Sequence, residues 1–365
     1  MSTPPPHTFS ITPLTQFSNK NSQIRRPQEI THFSYDDHRR LHHDQSSLKS
    51  YYPPSLGSDL SRGFESFQKH DSSIDEHLNG LLDGIIELEK RSGKKVVADI
   101  ITWRGMMTKF MTLPYDMRDG FEMNAIKFQD SIFIEENHSY KLIAQSVSYP
   151  RQDLMTYWGY KFEEISTLSG NPSDFSSEVI ESRDQNVVNN EEQFCSIVKT
   201  GFGDVRLIIG GEVDAVWDQN PPPDPLNKPP VYVELKTSKT PRKPHEHVNF
   251  ERKMLRFWAQ SFLLGIAKIV VGYRDNEGIL EGLEEIETTS IPGIAKRSGR
   301  QLWDGKVSID FTTTILEWIK QTIEGAPEGT LWRITHAPAS KTVGLSILPQ
   351  NSFLSPAFLE WRNNT

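Results

Sequence analysis

The sequence predicts an α+β protein built on mixed, twisted β-sheets flanked by helices. Three observations lead there. Apolar, β-branched runs at 205–217, 231–236 and 267–273 have strand character, and the segment 249–265 between the last two has helical periodicity, so the order is strand, strand, helix, strand. Strand and helix signals do not alternate regularly and no internal repeat is found, which argues for a mixed sheet and against a repeating βαβ barrel. With 365 residues, 36% of them hydrophobic and 24% charged, the chain is globular and long enough to bury a substantial core.

The elements follow in order. Residues 1–25, rich in Pro, Ser, Thr and Asn, are expected to be loosely ordered, with 26–365 forming one domain and Phe33 and Tyr35 able to anchor its entry. A helix is expected at 74–91. Ser73 and Glu76 have capping-box spacing, Ile74, Leu78, Leu81, Leu82, Ile85 and Leu88 form an apolar stripe, and Gly93 is a C-terminal stop. Strands are expected at 95–101, 132–134 and 140–147, with 103–109 a turn that carries Arg104 and Lys109. The aromatic-dense run 157–163 reads as core with an exposed edge ending in Glu163. A strand at 193–199 precedes the 205–217 run, where Gly210 and Gly211 mark a bend or a close backbone approach. Residues 218–230 hold six prolines and are expected to loop, joining the flanking strands as an extended antiparallel pair. On the 249–265 helix, Phe250, Met254, Phe257, Trp258, Ser261 and Phe262 form the buried side, while Arg252, Arg256 and Gln260 share another face. A helix at 313–324 and an aromatic tail at 353–361 complete the chain.

Composition narrows the function. A net charge of -8 argues against a nonspecific nucleic-acid coat protein, yet residues 236–256 hold seven basic and two acidic side chains, a rim suited to phosphate. Cys195 is the single cysteine, so no intrachain disulfide forms and a reducing compartment is expected. The N-terminus lacks a basic region followed by an apolar run, and no stretch reaches the roughly 20 apolar residues of a membrane span, so a soluble intracellular protein with no membrane role is expected.

The chemistry centres on Gly211-Glu212-Val213-Asp214 and Glu234-Leu235-Lys236. Alternation along two strands would gather three carboxylates and a lysine into one patch. Carboxylates that close repel one another unless a cation sits among them, so a divalent metal site is the economical reading. An oxygen-rich site beside a lysine suits Mg²⁺ or Mn²⁺, ions that clamp the attacking and leaving oxygens of a phosphate ester or anhydride.

Asp214, then Glu234 and Lys236, then a helix bearing Gln260 resembles the PD-(D/E)XK nuclease arrangement. The wider set is more specific. Trp103-Arg104-Gly105 with Thr108-Lys109, Tyr157-Trp158-Gly159-Tyr160-Lys161-Phe162-Glu163, and the two acidic motifs occur in the order that resembles the DXO/RAI family of RNA decapping and 5′-end quality-control enzymes. The resemblance runs from Arg26-Pro27-Gln28-Glu29-Ile30 to Trp361 without a departure at the motif positions. It implies a metal-dependent hydrolase that releases pyrophosphate from 5′-triphosphate RNA and removes unmethylated or NAD caps, leaving a 5′ monophosphate, in some members with 5′-to-3′ exonuclease activity. It implies metal ligation by Glu163, Glu212, Asp214, Glu234 and the Leu235 main-chain carbonyl. Lys236 would orient or activate water, Gln260 would position that water or the 5′ phosphate, and Arg104 would bind RNA phosphates. In the fungal branch, which the chain resembles more than the compact animal form, the protein is a nuclear activator of a Rat-type 5′-to-3′ exoribonuclease. Two other readings stand beside this one: a mainly non-catalytic stabiliser of that exoribonuclease, and a DNA endonuclease on the same core.

Overall fold

The computed structural model describes residues 7–146, 149–217, 230–349 and 352–364. Two mixed sheets organise them. The larger has ten strands in the order His7–Ser10, Thr342–Leu348, Leu331–His336, Phe121–Phe128, Ser131–Glu136, Ile100–Trp103, Val205–Glu212, Gln193–Phe202, Ile24–Tyr35 and Leu41–His42. The smaller has six, in the order Leu280–Glu287, Lys268–Arg274, Tyr232–Lys239, Ala215–Val216, Ser50–Tyr51 and Thr167–Leu168.

Period-two alternation builds three cores. Leu207 and Ile209 of one sheet and Ile269 and Val271 of the other share a central cluster, filled by Met107 and Phe110 and by helices Pro244–Leu264 and Gly305–Glu324. Ile208 turns the other way, into a cluster under helices Asn79–Ser92 and Pro356–Asn364. Val233, Leu235 and Val270 face away from the centre and pack with Tyr157, Trp158 and Phe162 of helix Gln152–Ile165.

Several expectations are corrected. The N-terminal segment is ordered from His7: His7–Ser10 pairs with Thr342–Leu345, and buried Phe9, Ile11 and Phe17 belong to the central core. The first helix spans Asn79–Ser92 and ends at Gly93 with φ 63°. Ser73 and Glu76 do not cap it. The Ser73 hydroxyl donates to Asp71, and Glu76 accepts two bonds from Arg39 at 2.9 and 2.7 Å, leaving Ile74 58% exposed. Residues 138–145 form a helix instead of a strand. Two periodicities compete in so short an apolar stretch. Of 95–101, the strand proper begins at Ile100; the Asp99 backbone bonds the Arg206 carbonyl and the Ile132 N–H at 2.9 Å each, and its carboxylate accepts the backbone N–H and guanidinium of Arg206. The 103–109 turn is the helix Arg104–Thr112, whose Met106, Met107, Phe110 and Met111 are buried. Strand Phe121–Phe128 lay unread although Phe121, Met123 and Ala125 alternate inward. The helix expected at 249–265 begins at Pro244, where Glu246 accepts the Arg242 and Lys243 N–H groups, and the one expected at 313–324 begins at Gly305, capped by Asp304. Of the loop expected at 218–230, residues 218–229 lie outside the described residues.

The two carboxylate strands do not form one hairpin. Val205–Glu212 lies in the ten-stranded sheet, Tyr232–Lys239 lies in the six-stranded sheet, and the chain crosses between them at Val213 and Asp214. The antiparallel contact is made by Ala215–Val216 against Tyr232–Val233 and continued by the Trp217 N–H, which donates to the Val231 carbonyl at 2.7 Å.

Candidate active site

The crossing between sheets assembles the site. Val233 and Leu235 pack against helix Gln152–Ile165, so the alternating Glu234 and Lys236 project to the other side of their strand. Strand Ile100–Trp103 runs parallel to Val205–Glu212 with Trp103 beside Gly210, and Arg104 opens a helix at the level of Gly211. That approach needs glycine. A Cβ on Gly211 would lie 2.7 Å from Leu264 Cδ1 and 3.0 Å from Arg104 Cβ. Phe162 fixes the third wall by packing on Gly272, which carries Glu163 at the end of its helix into the cleft formed with Glu212 and Asp214.

Glu234 is the fully buried hub. Its Oε2 accepts from Arg104 Nη1 at 2.9 Å, and its Oε1 lies 2.6 Å from Lys236 Nζ. Asp214 Oδ2 accepts the Leu235 N–H at 2.6 Å, tying the crossing residues to the neighbouring strand. Burial would raise the Glu234 pKa, but Arg104 and Lys236 outweigh it and hold the carboxyl below its ordinary value. The other three carboxyls move up. Burial, then repulsion from Glu234, raises Asp214 to about 7. Burial and the charges of Asp214 and Glu212 push Glu163 well above its ordinary range. Burial also raises Glu212, against the pull of Arg104. Lys236 is desolvated, yet Glu234, Asp214 and Glu163 overcome that and raise its pKa, so it is a fixed cation rather than a free base.

The expected site residues thus divide. Arg104, Glu163, Glu212, Asp214, Glu234 and Lys236 interact in one electrostatic cluster, and Leu235 contributes its backbone between two of them. Gln260 is half-buried on helix Pro244–Leu264, and among the described residues no hydrogen bond or ion pair joins it to the cluster. Two structural supports escaped sequence reading. Glu29 accepts from Ser196 Oγ at 2.6 Å and the Tyr232 hydroxyl at 2.8 Å, joining the two sheets at the head of the catalytic strand. Lys49 lines the cleft from a segment with no motif character.

The donor set fits a hard divalent cation. Four carboxyl groups face two side-chain cations, an excess of two acidic groups. Among the described residues no three His, Cys, Asp or Glu side chains are already drawn into ligand geometry. Arg104 and Lys236 hold Glu234 in the arrangement seen here.

Residues 25–359 match the family described as RAI1 like PD-(D/E)XK nuclease. The chain belongs to that family. It is 50% identical over 363 residues to the decapping nuclease RAI1 of Emericella nidulans, covering 98% of this chain and 99% of the relative. It is 36% identical over 341 residues to the decapping nuclease din1 of Schizosaccharomyces pombe, covering 88% and 94%. The crystal structure of Candida albicans Rai1 in complex with pU5 and Mn²⁺ superposes with a TM-score of 0.87 at 31% identity, covering 98% of this chain and 99% of that one. Scheffersomyces stipitis Rai1 in complex with (3′-NADP)⁺ and calcium ion gives 0.88 at 30% identity, covering 98% and 100%. As a member of the RAI1-like nuclease family the protein is a hydrolase, and its mixed-sheet α+β fold is the family's.

Proposed function

We propose that the protein is a divalent-metal-dependent hydrolase of RNA 5′ ends, acting in RNA quality control to release pyrophosphate from 5′-triphosphate RNA and to remove unmethylated or NAD caps, leaving 5′-monophosphate RNA. The observation that carries this reading is the buried excess of carboxylates around Glu234, which no structural role requires and which a bound cation would balance. The mainly non-catalytic reading leaves that excess without a purpose. A relative crystallised with pU5 and Mn²⁺ supports RNA as the substrate and a divalent cation as the metal, for which Mg²⁺ or Mn²⁺ is our reading.

In this reading Glu163, Glu212, Asp214 and Glu234, with the Leu235 carbonyl, hold the metal. When bound, a divalent cation neutralises phosphoryl oxygens and lowers the barrier to attack by water. Arg104 exchanges part of its contact with Glu234 for a substrate phosphate, presenting a planar fork of donors. Lys236 stays protonated, orients the attacking water and balances charge as the pentavalent arrangement forms. Gln260 positions the water or the 5′ phosphate from its helix. The catalytic unit extends through residues 26–365, with the N-terminal strand His7–Ser10 joined to it and Phe9, Ile11 and Phe17 in its core. Activation of a Rat-type 5′-to-3′ exoribonuclease, location in the nucleus and 5′-to-3′ trimming after decapping are parts of the same reading, supported by family membership. No helix among the described residues is long and apolar enough to cross a membrane.

The test is hydrolysis of 5′-triphosphate, unmethylated-cap, methyl-cap and NAD-cap RNA in Mg²⁺ or Mn²⁺, with duplex DNA and the Glu234→Ala variant alongside. Metal-dependent release from RNA ends by the wild type alone is expected. Cleavage of DNA with no release from RNA, or equal release by the variant, would sink the proposal.

A further inference from the structure

The cleft beside Glu163, Glu212 and Asp214 has two more carboxylates on its wall, Glu164 and Glu192, and Lys49 is the single cationic side chain among the described residues that line it. Lys49 is anchored by its backbone: its carbonyl accepts the Val216 N–H at 2.9 Å, two residues beyond Asp214. Its ammonium bridges two carboxylates: Nζ lies 3.1 Å from Glu192 Oε2 and 3.4 Å from Glu164 Oε2. The side chain keeps 25% of its surface exposed, and it also lines the outer pocket that continues from the cleft past Asn189 and Asn186. Glu164 has a second partner, the Asn186 side chain at 2.9 Å, so it remains satisfied when Lys49 turns away.

A polyphosphate entering this cleft meets five carboxylates on the wall, and Arg104 and Lys236, which pair with Glu234, are not among the described residues that line it. A divalent ion offsets the charge of the carboxylates around Glu234, but Glu164 and Glu192 lie outside that group. We infer that Lys49 is a further phosphate-binding residue: its ammonium leaves Glu192 and Glu164 for the outer phosphates of a 5′ polyphosphate, and so selects RNA ends with more than one phosphate. This rests on the RNA 5′-end reading above and adds a specificity-determining residue to it. The competing role is a purely structural tie between the helix that bears Glu163 and the strand that follows Glu192. The two differ in sign at Glu192, where loss of the charge frees Lys49 for substrate in one case and breaks the tie in the other.

The experiment is equilibrium binding of one RNA sequence carrying a 5′ triphosphate, monophosphate or hydroxyl, in Ca²⁺, with the RNA checked intact afterwards. Lys49→Met is expected to weaken triphosphate binding about tenfold while changing hydroxyl-ended RNA less than about twofold. Lys49→Arg should restore triphosphate affinity to within about threefold, and Glu192→Gln should tighten it about threefold. Equal loss on all three ends, or no loss on any, at an unchanged melting temperature would overturn the inference. If Lys49→Met does not fold, Glu192→Gln decides: weaker binding of every end identifies Lys49 as a tie only. Wild-type protein that hydrolyses RNA ends while Lys49→Met matches its affinities refutes this inference alone, whereas wild type that neither binds nor hydrolyses any RNA end refutes the function reading and this with it.

Discussion

Two buried charge clusters in this protein are built on opposite terms. Near the C-terminus, Glu89 and Arg362 are both 4% exposed and meet one to one at 2.7 Å; Glu89 also takes the Val96 N–H at 2.7 Å and the Trp361 indole N–H at 2.8 Å. At the crossing of the two sheets, Glu163, Glu212, Asp214 and Glu234 share Arg104 and Lys236, and three of the four carboxyls have raised pKa values. A balanced pair pins the last helix to the first. An unbalanced one costs stability and persists because something absent from the folded chain alone completes it.

The comparison can be broken by removing one carboxylate from each cluster. Glu234→Ala is expected to lower hydrolysis by about 10³-fold or more in any metal, measured as single-turnover release of the 5′ end, while the protein stays folded. Glu89→Ala should do the reverse. It leaves Arg362 buried without its carboxylate, destabilises by about 3–5 kcal/mol in urea unfolding, and leaves turnover per folded molecule unchanged. If Glu89→Ala is neutral in stability, the distinction between the two clusters fails.

Smaller effects sharpen the contrast. A Cβ on Gly272 would sit 2.5 Å from Cε2 of Phe162, the residue before Glu163, so Gly272→Ala should cost about 1–3 kcal/mol and lower activity together by displacing that helix. The smallest effect is a pH slope. Asp214 goes from an ordinary 3.8 to about 7 on folding, so between those values the folded chain keeps a proton that the unfolded chain has released. Stability without metal therefore falls as pH rises from about 4 to about 7. The melting temperature of metal-free protein should be about 2 °C lower at pH 7.5 than at pH 5, and Asp214→Asn should flatten that dependence. A slope of the same size in the variant would remove Asp214 as its source.

The acidic motifs, the α+β class and the long helix before Gly265 could be read from the chain, because each is a short-range pattern of alternation, periodicity or a left-handed cap. Local alternation also named Glu212, Asp214, Glu234 and Lys236, since a charged residue in an apolar strand has few structural reasons to be there, whereas Arg104 and Glu163 were named by the order of motifs shared with the family. Packing alone settled the rest. Residues 138–145 took the helix where two periodicities compete, and Glu76 left its helix for Arg39, 37 residues away. Glu212 and Glu234 met across two different sheets rather than along one hairpin. Lys49 acquired a place in the cleft only because Val216 carries its backbone there. Contacts between distant segments depend on which faces find partners, and a side chain's neighbours in space are not written in its neighbours in sequence.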